Sequence, residues 1–397
     1  MAATVGPRPN PTSSWWLANA PSVASAAVPP ASCDLAIIGA GMTGCAVAHW
    51  TRVLDAAGGG SVVLLDARGV AGGATGRNGG HLWLNPNSAF EVDTTAELLQ
   101  FIEDQRVECD LQKGGAAALT RREAETGVTY HDAAGDPEDA AAERWGETAA
   151  WDESACRTRL QTDAFIAAEV YSDAAQFYPA KVAQALLQSS GATLVAPVCV
   201  VSLEDEPGGA GCLLSWRSAD GADTPAEGVL HARRVVVATN GWTGELLPEL
   251  QSHLYPARNQ VLLTAPLPAA QDWQVGAFAV DGDAGARELY CIRRSDGRYL
   301  RRFLAERLPA LAADGAVRVE AEWTGVLGFT HDGKPLIGPL PERPHVLVAA
   351  GFCGHGMPQC FGAGKAIAQI LAGQPPEALH PHVRGAARVG RVFDGAE

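Results

Sequence analysis

The feature that most constrains this chain is a glycine pattern, G-x-G-x-x-G at residues 39–44, between a predicted strand and a predicted helix. The apolar run 35–38 precedes the glycines, and apolar residues at roughly helical spacing follow over 45–54. A second apolar run at 62–65 ends at Asp66 and completes a β–α–β unit of ordinary length. The pattern therefore predicts an α/β fold that begins with a nucleotide-binding unit.

Each residue of this pattern has a physical role in holding a dinucleotide. Gly39 permits a tight turn, Gly41 lets the backbone approach a pyrophosphate, and Gly44 lets the helix pack closely on the strand. The pyrophosphate would lie against free N–H groups at the positive end of the helix. Asp66 would accept hydrogen bonds from a ribose 2′-hydroxyl and repel a 2′-phosphate, which favours FAD or NAD over NADP. The alternative is a tight turn that serves packing alone.

Charge and cysteine content exclude several classes of partner. The net charge of −15 leaves no basic face for nucleic acid. Nine scattered cysteines without a C-x-x-C pair predict neither a metal site nor a disulfide framework, and they favour a reducing, cytoplasmic location. No apolar run is long enough to span a membrane, and the first thirty residues do not resemble a secretory signal.

The nucleotide domain is predicted to be discontinuous. Two later apolar runs, at 235–238 and 346–350, each precede a glycine-bearing turn and are interpreted as further strands of the same sheet or a neighbouring one. The predicted divisions are an extended arm at 1–31 pinned by Trp15 and Trp16, the nucleotide domain at 32–110, 171–245 and 321–375, a helical or inserted segment at 111–170, a substrate domain at 246–320, and a C-terminal tail at 376–397.

Three further motif blocks follow the first and together resemble one known superfamily. They are G-A-T-G-R-N-G-G-H at 73–81, W-T-G at 323–325 with D-G-K-P-L-I-G-P at 332–339, and G-F-C-G-H-G-M at 351–357. In this order they resemble the FAD-dependent amino acid and amine oxidases, which include D-amino acid, glycine, sarcosine and γ-glutamylputrescine oxidases. The resemblance extends over about residues 9–375. The arm at 10–16 and the 73–81 block look most like uncharacterised fungal members.

The resemblance implies both a fold and an activity. The fold would be a discontinuous FAD-binding Rossmann-like domain with an inserted α+β substrate domain that contains an antiparallel sheet. The activity would oxidise the carbon–nitrogen bond of a small amine or amino acid by hydride transfer to flavin N5. Water would hydrolyse the imine, and O2 would reoxidise the flavin to give H2O2. Because the cofactor carries the difficult step, few side chains need to be catalytic.

The expected cofactor contacts lie in the motif blocks and at one strand. The 73–81 block would wrap the pyrophosphate and flavin edge with backbone N–H groups. The turn at 354–357 would direct a helix N-terminus at the flavin N1–C2=O edge, and Val198 would contact the adenine side. The predicted cofactor-binding residues are Gly39, Gly41, Met42, Thr43, Gly44, Asp66, Ala67, Arg68, Ala74, Thr75, Arg77, Asn78, Gly79, Gly80, Val198, Gly351, Gly354, His355, Gly356 and Met357.

Two histidines are the predicted catalytic residues. His355 would bind substrate or flavin, or steer a proton, since histidine titrates near neutrality; the alternative is a turn histidine bonded to backbone. His81 would face the flavin, or would only cap a strand. His81 or Cys353 is a candidate for a covalent flavin link, although a plain buried thiol is favoured for Cys353.

Two departures from the family pattern bear on the substrate. Sarcosine-oxidase relatives place a lysine shortly after G-H-G-x to hold a carboxylate, whereas this chain has M-P-Q at 357–359. After 296–300 the chain continues directly into 301–309, as if a strand and loop of the substrate domain were absent. Candidates for a carboxylate clamp are Arg258 and either Arg293 or Arg294, against the default of solvated arginines.

Several alternatives to an amine oxidase remain open at this level. A catalytically impaired flavin-binding homologue and an FAD-dependent dehydrogenase with another acceptor both fit the departures. An NAD-dependent dehydrogenase fits the first glycine motif but not the later blocks. A non-enzymatic interaction protein would use the arm and the Ala-rich stretch at 130–150.

Overall fold

The computed structural model of this protein describes residues 11–85, 88–121, 149–160, 162–209, 211–219, 226–264, 277–280, 289–292 and 319–393. The predictions for 296–309 and for Arg293 and Arg294 lie outside these residues, as does the stretch 130–150 except for residues 149 and 150. Within them, no helix combines the length and the apolar character that crossing a bilayer requires.

The described elements alternate between helix and strand in the first part of the chain. The helices are α1 (Trp15–Ala18), α2 (Met42–Val53), α3 (Ala89–Asp104), α4 (Glu153–Leu160), α5 (Pro179–Ser190), α6 (Thr243–Leu246), α7 (Gly356–Leu371) and α8 (Pro381–Arg384). The strands are β1 (Ser32–Ile38), β2 (Val62–Leu65), β3 (His81–Leu82), β4 (Ala116–Arg121), β5 (Ala149–Trp151), β6 (Phe165–Tyr171), β7 (Ala175–Gln176), β8 (Thr193–Val195), β9 (Val198–Asp205), β10 (Cys212–Ser218), β11 (Glu227–Val237), β12 (Leu254–Thr264), β13 (Ala277–Val280), β14 (Leu289–Ile292), β15 (Val319–Thr330), β16 (Leu336–Pro339) and β17 (Val346–Ala350).

The largest sheet confirms the predicted α/β fold. Its strand order is β16-β17-β11-β1-β2-β8, with β10 and β9 added beside β11. The pairs β11-β1, β1-β2, β2-β8 and β11-β17 are parallel. Strand β1 is apolar on both faces, as expected for a parallel strand covered on both sides, and Leu35 and Ile37 are fully buried. The chain leaves β1 toward β2 on one side and meets β11 on the other, which opens a crevice at the carboxyl end of β1.

The apolar runs at 235–238 and 346–350 are confirmed as strands of this sheet. The first forms the end of β11 and the second forms β17, and residues 235–237 pair in parallel register with 346–348. Segments from distant parts of the chain thus form one sheet. Helix α2 packs between α5 and α7 on one face of this sheet.

The segment 111–170, predicted as a helical or inserted piece, contains helix α4 and also strands that the sequence did not predict. It supplies β4, β5 and β6 to a second sheet of order β14-β13-β4-β6-β5, whose other strands come from the predicted substrate domain. Three of these four pairings are antiparallel, and β13-β4 is parallel. The sequence missed β4 because it begins with three alanines, and alanine has a low preference for strands.

Both ends of the described chain pack on the body. Trp15 and Trp16 pin the arm, as predicted, and their rings lie 5.5 and 4.8 Å from that of Tyr178. The arm is not wholly extended, because α1 forms there. The tail also docks, and the N–H of Ile337 donates to the carbonyl of Ala387 at 2.8 Å.

Candidate active site

A cleft at the carboxyl ends of β1 and β2 brings together the separate motif blocks. It encloses about 1670 Å³, counting the part open to solvent. The predicted site residues that line it are His81, Gly39, Gly41, Met42, Thr43, Asp66, Ala67, Arg68, Ala74, Thr75, Asn78, Gly79, Val198, Gly354, His355, Gly356 and Met357. Residues more than 300 positions apart therefore share one wall.

The glycines of the first motif divide between the cleft and the packing behind it. Gly39 has φ +110°, a conformation that favours glycine. A Cβ on Gly41 would meet only the Thr75 hydroxyl, at 3.2 Å, so this backbone faces the cleft. A Cβ on Gly44 would lie 1.8 Å from the carbonyl oxygen of Gly39. Gly44 therefore permits close packing of helix on turn, and it does not line the cleft.

The Asp66 carboxylate organises the loop at the end of β2. One oxygen accepts hydrogen bonds from the N–H groups of Arg68 and Gly69, at 2.7 and 2.9 Å. The other accepts from the N–H of Ala40 at 2.8 Å, which joins the loop to the glycine turn. An ionised carboxylate offers about four acceptor positions. One position therefore remains for a ligand hydroxyl.

Arg68 places a partly buried cation beside this carboxylate. Burial lowers the pKa of its guanidinium, and the charge of Asp66 opposes that shift. Its Nε has no hydrogen-bond partner among the described residues. A partly buried guanidinium is stabilised by an anion or acceptor, so a ligand with a pyrophosphate fits this wall of the cleft. With the exposed backbone at Gly41 and the acceptor on Asp66, the residues fit a dinucleotide.

The block at 73–80 is held on the cleft by its own polar side chains. The Thr75 hydroxyl accepts from the N–H of Met42 at 2.8 Å, at the start of α2. The Asn78 side chain accepts from the N–H of Gly80 at 2.7 Å. Its amide group also lies 3.4 Å from the sulfur of Met357. This block thus connects the turn before α2 with the turn before α7.

Arg77 does not line the cleft, contrary to the expected cofactor contact. Its side chain donates to the carbonyls of Gly72 at 3.0 Å, Thr12 at 2.8 Å and Thr324 at 3.1 Å. A guanidinium has a rigid set of donors suited to such multiple acceptors. Arg77 therefore joins the cleft-lining block to the arm and to β15.

Two more predicted contacts, Gly80 and Gly351, also lie behind the cleft wall. Gly80 has φ +80°, and a Cβ there would lie 2.7 Å from the carbonyl of Phe177. Gly351 has φ +75°, and a Cβ there would lie 2.7 Å from the Thr330 methyl group. Both glycines allow close approach of backbone and give the cleft its shape.

The end of the cleft beyond β2 is largely apolar. Val198 lines it together with Val200, Leu246 and Trp242. The N–H of Val198 donates to the Asp66 carbonyl at 2.8 Å, which ties β9 to β2. An apolar slot beside the Asp66 loop suits a flat aromatic group such as a nucleotide base.

His81 is a neutral residue of the cleft wall. It begins β3, and its ring lies 5.2 Å from that of Trp83 in an edge-to-face arrangement. Burial lowers the pKa of His81 to about 3. An imidazole with this pKa does not exchange a proton near neutrality, so His81 is suited to shaping the cleft and to hydrogen bonding.

The His81 pKa predicts a loss of stability in mild acid. An unfolded histidine titrates near pH 6.5, so between that pH and about 3 the unfolded chain binds the extra proton. Stability contributed by neutral His81 therefore falls as the pH drops below 6.5. From pH 6.5 to 5 we expect wild type to lose about 2 kcal/mol more than His81→Gln, measured by urea unfolding. The surface variant His231→Gln is the control, and an equal loss in wild type and His81→Gln would contradict the assignment.

His355 stands at the N-terminus of α7 and lines the cleft. Its Nδ1 lies 3.5 Å from the carboxylate of Glu91, which the sequence analysis missed. Glu91 is 4% exposed, and it accepts from the Gln359 amide at 2.6 Å and from the N–H of Asn85 at 2.7 Å. An acid in the first turn of a helix is ordinary in sequence, so no local signal identified it.

Removing the Glu91 carboxylate should lower the free energy of unfolding substantially. Glu91→Ala would leave the Gln359 amide and the Asn85 N–H without their acceptor, at a cost of about 3 kcal/mol. Glu97 supplies a control on the same helix, because its partner Lys365 also lies on α7 but both side chains are about one-third exposed. We expect Glu97→Ala to cost about 1 kcal/mol or less. Equal urea midpoints for the two variants would contradict the buried role of Glu91.

The thiols near the cleft differ in position. Cys360 lines the cleft, and its sulfur lies 3.0 Å from the Thr43 hydroxyl. Burial raises the pKa of Cys360 to about 12, so this thiol stays protonated. Cys353, the candidate for a covalent flavin link, is not among the described residues that line the cleft.

Arg258, the candidate for a carboxylate clamp that lies among the described residues, is exposed. Arg258 lies on β12 opposite Val326, with its side chain at the surface. It is not among the described residues that line the cleft, which agrees with the default of a solvated arginine. Arg68 is the cationic side chain that the described cleft wall does contain.

Known proteins share both the sequence pattern and the fold of this chain. The family described as FAD dependent oxidoreductase (DAO) matches residues 34–370. The probable oxidoreductase OrdL of Rhizobium meliloti (strain 1021) is 24% identical over 412 residues, covering 93% of this chain and 90% of that protein. The gamma-glutamylputrescine oxidoreductase of Escherichia coli (strain K12) is 23% identical over 388 residues, covering 86% and 84%. Glycine oxidase from Geobacillus kaustophilus has the same fold, with a TM-score of 0.61 at 20% identity over 88% of this chain and 97% of that one.

Proposed function

Because this chain belongs to the DAO family of FAD-dependent oxidoreductases, we propose that it oxidises the carbon–nitrogen bond of a small amine or amino acid. The observation that carries the proposal is the cleft, where the first glycine turn, Asp66, the 73–80 block and the N-terminus of α7 form one wall. Such a wall provides backbone donors, an acceptor for a ribose hydroxyl and a helix N-terminus, which are groups suited to binding FAD.

The chain's own residues would hold the cofactor in defined ways. Gly41 and the first turn of α2 would hold the pyrophosphate, with Arg68 beside it. The free acceptor position of Asp66 would take the ribose hydroxyl, and the apolar slot around Val198 would take the base. The N-terminus of α7 would stabilise negative charge on the flavin. Bound FAD supplies the acceptor for hydride from the substrate Cα–H.

The remaining side chains would position the substrate and exclude water. His81 and Trp83 form part of the described wall, and His81 stays neutral there. His355 would bind the substrate or move a proton, and the Glu91 carboxylate lies 3.5 Å from its Nδ1. None of these roles needs a nucleophile, in line with the protonated thiol of Cys360.

We favour a substrate in which the carbon beside the reacting amine carries no carboxylate. The position that follows G-H-G is Met357, an apolar residue on the cleft wall. The Gln359 amide, two residues later, is committed to the buried Glu91 carboxylate. One relative named above is a gamma-glutamylputrescine oxidoreductase, and the putrescine end of that compound has no carboxylate on the carbon beside its amine, although its glutamyl end does. We propose O2 as the electron acceptor, with H2O2 as the product.

A peroxide-coupled screen tests this proposal. The holoprotein would be assayed with N-methyl amino acids, cyclic imino acids, polyamines and γ-glutamyl polyamine conjugates. We expect peroxide with at least one polyamine or conjugate, in which the carbon beside the reacting amine carries no carboxylate, and loss of flavin absorbance with the same compound under anaerobic conditions. Anaerobic bleaching without peroxide in air would overturn O2 as acceptor and indicate a dehydrogenase. If no compound bleaches the flavin, the proposal that this protein oxidises an amine is wrong.

A further inference from the structure

The N-terminal arm contacts the back of the block that lines the cleft. We call residues 12–17 the brace and residues 73–80 the cofactor loop. The Ser14 hydroxyl donates to the carbonyl of Gly76 at 2.5 Å. The indole N–H of Trp16 donates to the carbonyl of Asn78 at 2.6 Å. The brace thus supplies donors for two carbonyls of the cofactor loop.

The contacts between brace and cofactor loop are buried. Ser14 is 1% exposed and Trp16 is 3% exposed. A Cβ on Gly76 would lie 2.7 Å from the side chain of Leu17 and 2.4 Å from the carbonyl oxygen of Ala71. A Cβ on Gly80 would lie 2.8 Å from the ring of Trp16 and 2.7 Å from the carbonyl oxygen of Phe177. Both glycines of the cofactor loop therefore allow close approach of the brace, and each also allows close approach of a backbone carbonyl outside the brace.

Other residues fasten the brace from both sides. Arg77, in the cofactor loop, donates to the carbonyl of Thr12 at 2.8 Å. The hydroxyl of Thr12 accepts from the N–H of Thr324 in β15 at 2.9 Å. The hydroxyl of Tyr178, at the start of α5, donates to the carbonyl of Trp16. The brace is therefore held in place by groups of the body that lie outside the cleft.

The opposite face of the cofactor loop is the cleft wall. Ala74, Thr75, Asn78 and Gly79 all line the cleft. One short segment thus has the brace on one side and the FAD site on the other.

We propose that the brace is a positioning element that holds the cofactor loop in its FAD-binding conformation, so that docking of the arm and binding of FAD stabilise each other. Such a coupling is reciprocal, because each event changes the equilibrium of the other by the same factor. The inference concerns cofactor retention and not the oxidised substrate. If the brace did not affect FAD binding, the proposed function would still stand. If the protein bound FAD but oxidised no amine, the proposal about the brace would still stand.

The first test compares the FAD affinity of wild type with that of two variants. Ser14→Ala/Trp16→Phe removes the two donors to the cofactor loop and keeps most of the ring packing. Gln184→Met is the matched control, since the Gln184 amide donates to the arm at the carbonyl of Pro21, outside the brace. We expect the double variant to bind FAD about tenfold more weakly than wild type, followed by flavin fluorescence, and the control to stay within about twofold. A double variant with wild-type affinity, or an equal loss in the control, would overturn the proposal.

The second test uses the wild-type chain, so it does not depend on a variant that folds. Chymotrypsin cleaves after the aromatic and leucine residues of the brace, at Trp15, Trp16 and Leu17. We expect FAD to slow cleavage there at least tenfold relative to the apoprotein, measured by mass spectrometry of the released peptides. Equal cleavage rates with and without FAD would show that the arm is not coupled to the cofactor.

Discussion

Gly44→Ala should lower the free energy of unfolding by more than about 4 kcal/mol and prevent FAD binding. The new Cβ would lie 1.8 Å from the Gly39 carbonyl oxygen and 3.0 Å from its carbon. Because both atoms belong to backbone, no side chain can move aside, and α2 must separate from the turn after β1. Urea unfolding and the yield of soluble yellow protein measure the effect.

A neighbouring glycine separates packing from binding. Gly41 has φ −76°, which any residue adopts, and its Cβ would meet only the Thr75 hydroxyl, at 3.2 Å. Gly41→Ala should therefore change stability by about 1 kcal/mol or less. Its methyl group would project into the cleft, so we expect FAD affinity to fall about tenfold to a hundredfold, or about 1.4 to 2.8 kcal/mol. A Gly44→Ala protein as stable as Gly41→Ala would contradict the packing described here.

Asp66→Asn should weaken FAD binding by about a hundredfold or more. The carboxylate receives three backbone N–H groups, from Ala40, Arg68 and Gly69. An asparagine amide has one acceptor oxygen, so its NH2 group would face at least one of these donors. Losing hydrogen bonds to a charged group costs about 1.5 to 3 kcal/mol each, and the same loop holds Arg68. Titration of the apoprotein with FAD measures the change.

Asp332 provides a control with similar bonds in another place. Its carboxylate accepts from the N–H of Lys334 at 3.1 Å and from Arg391 at 2.7 Å. It is not among the described residues that line the cleft. Asp332→Asn should lower stability but leave FAD affinity within about twofold, since the control does not alter the cleft. Equal FAD affinities for the two variants would rule out the role assigned to Asp66.

The local part of the fold was predictable because its signals lie within short segments. The run at 35–38, the glycines and the run at 62–65 encode strand, turn, helix and strand without reference to the rest of the chain. The position of Asp66 follows from that unit. The cleft wall could be assembled from motif blocks because each has its own pattern of glycines.

Contacts between distant segments were not predictable from the same patterns. The carbonyl partners of Arg77 are 65 and 247 residues away, at Thr12 and Thr324. The Gln359 amide that binds Glu91 is 268 residues away. In sequence, an arginine in a glycine-rich block is readily interpreted as a phosphate ligand, because the same N–H donors bind phosphate oxygens and backbone carbonyls. The neutral state of His81 likewise depends on burial, which only the folded chain reveals.

The strands of 111–170 were missed for a related reason. β4 pairs with β13, more than 150 residues later in the chain, and with β6. Its first three residues are alanines, which have small side chains and little preference for strands. The pairing partners therefore determine this sheet more than the local sequence does.

The central claim is that the cleft holds FAD, and a single measurement on purified protein tests it most directly. The visible spectrum would be recorded, the protein precipitated with acid, and the released nucleotide identified and counted by chromatography. The account predicts one FAD per chain, with the yellow colour lost from the protein unless the flavin is covalently bound. Protein that takes up no flavin nucleotide, even when FAD is supplied in excess, would contradict it.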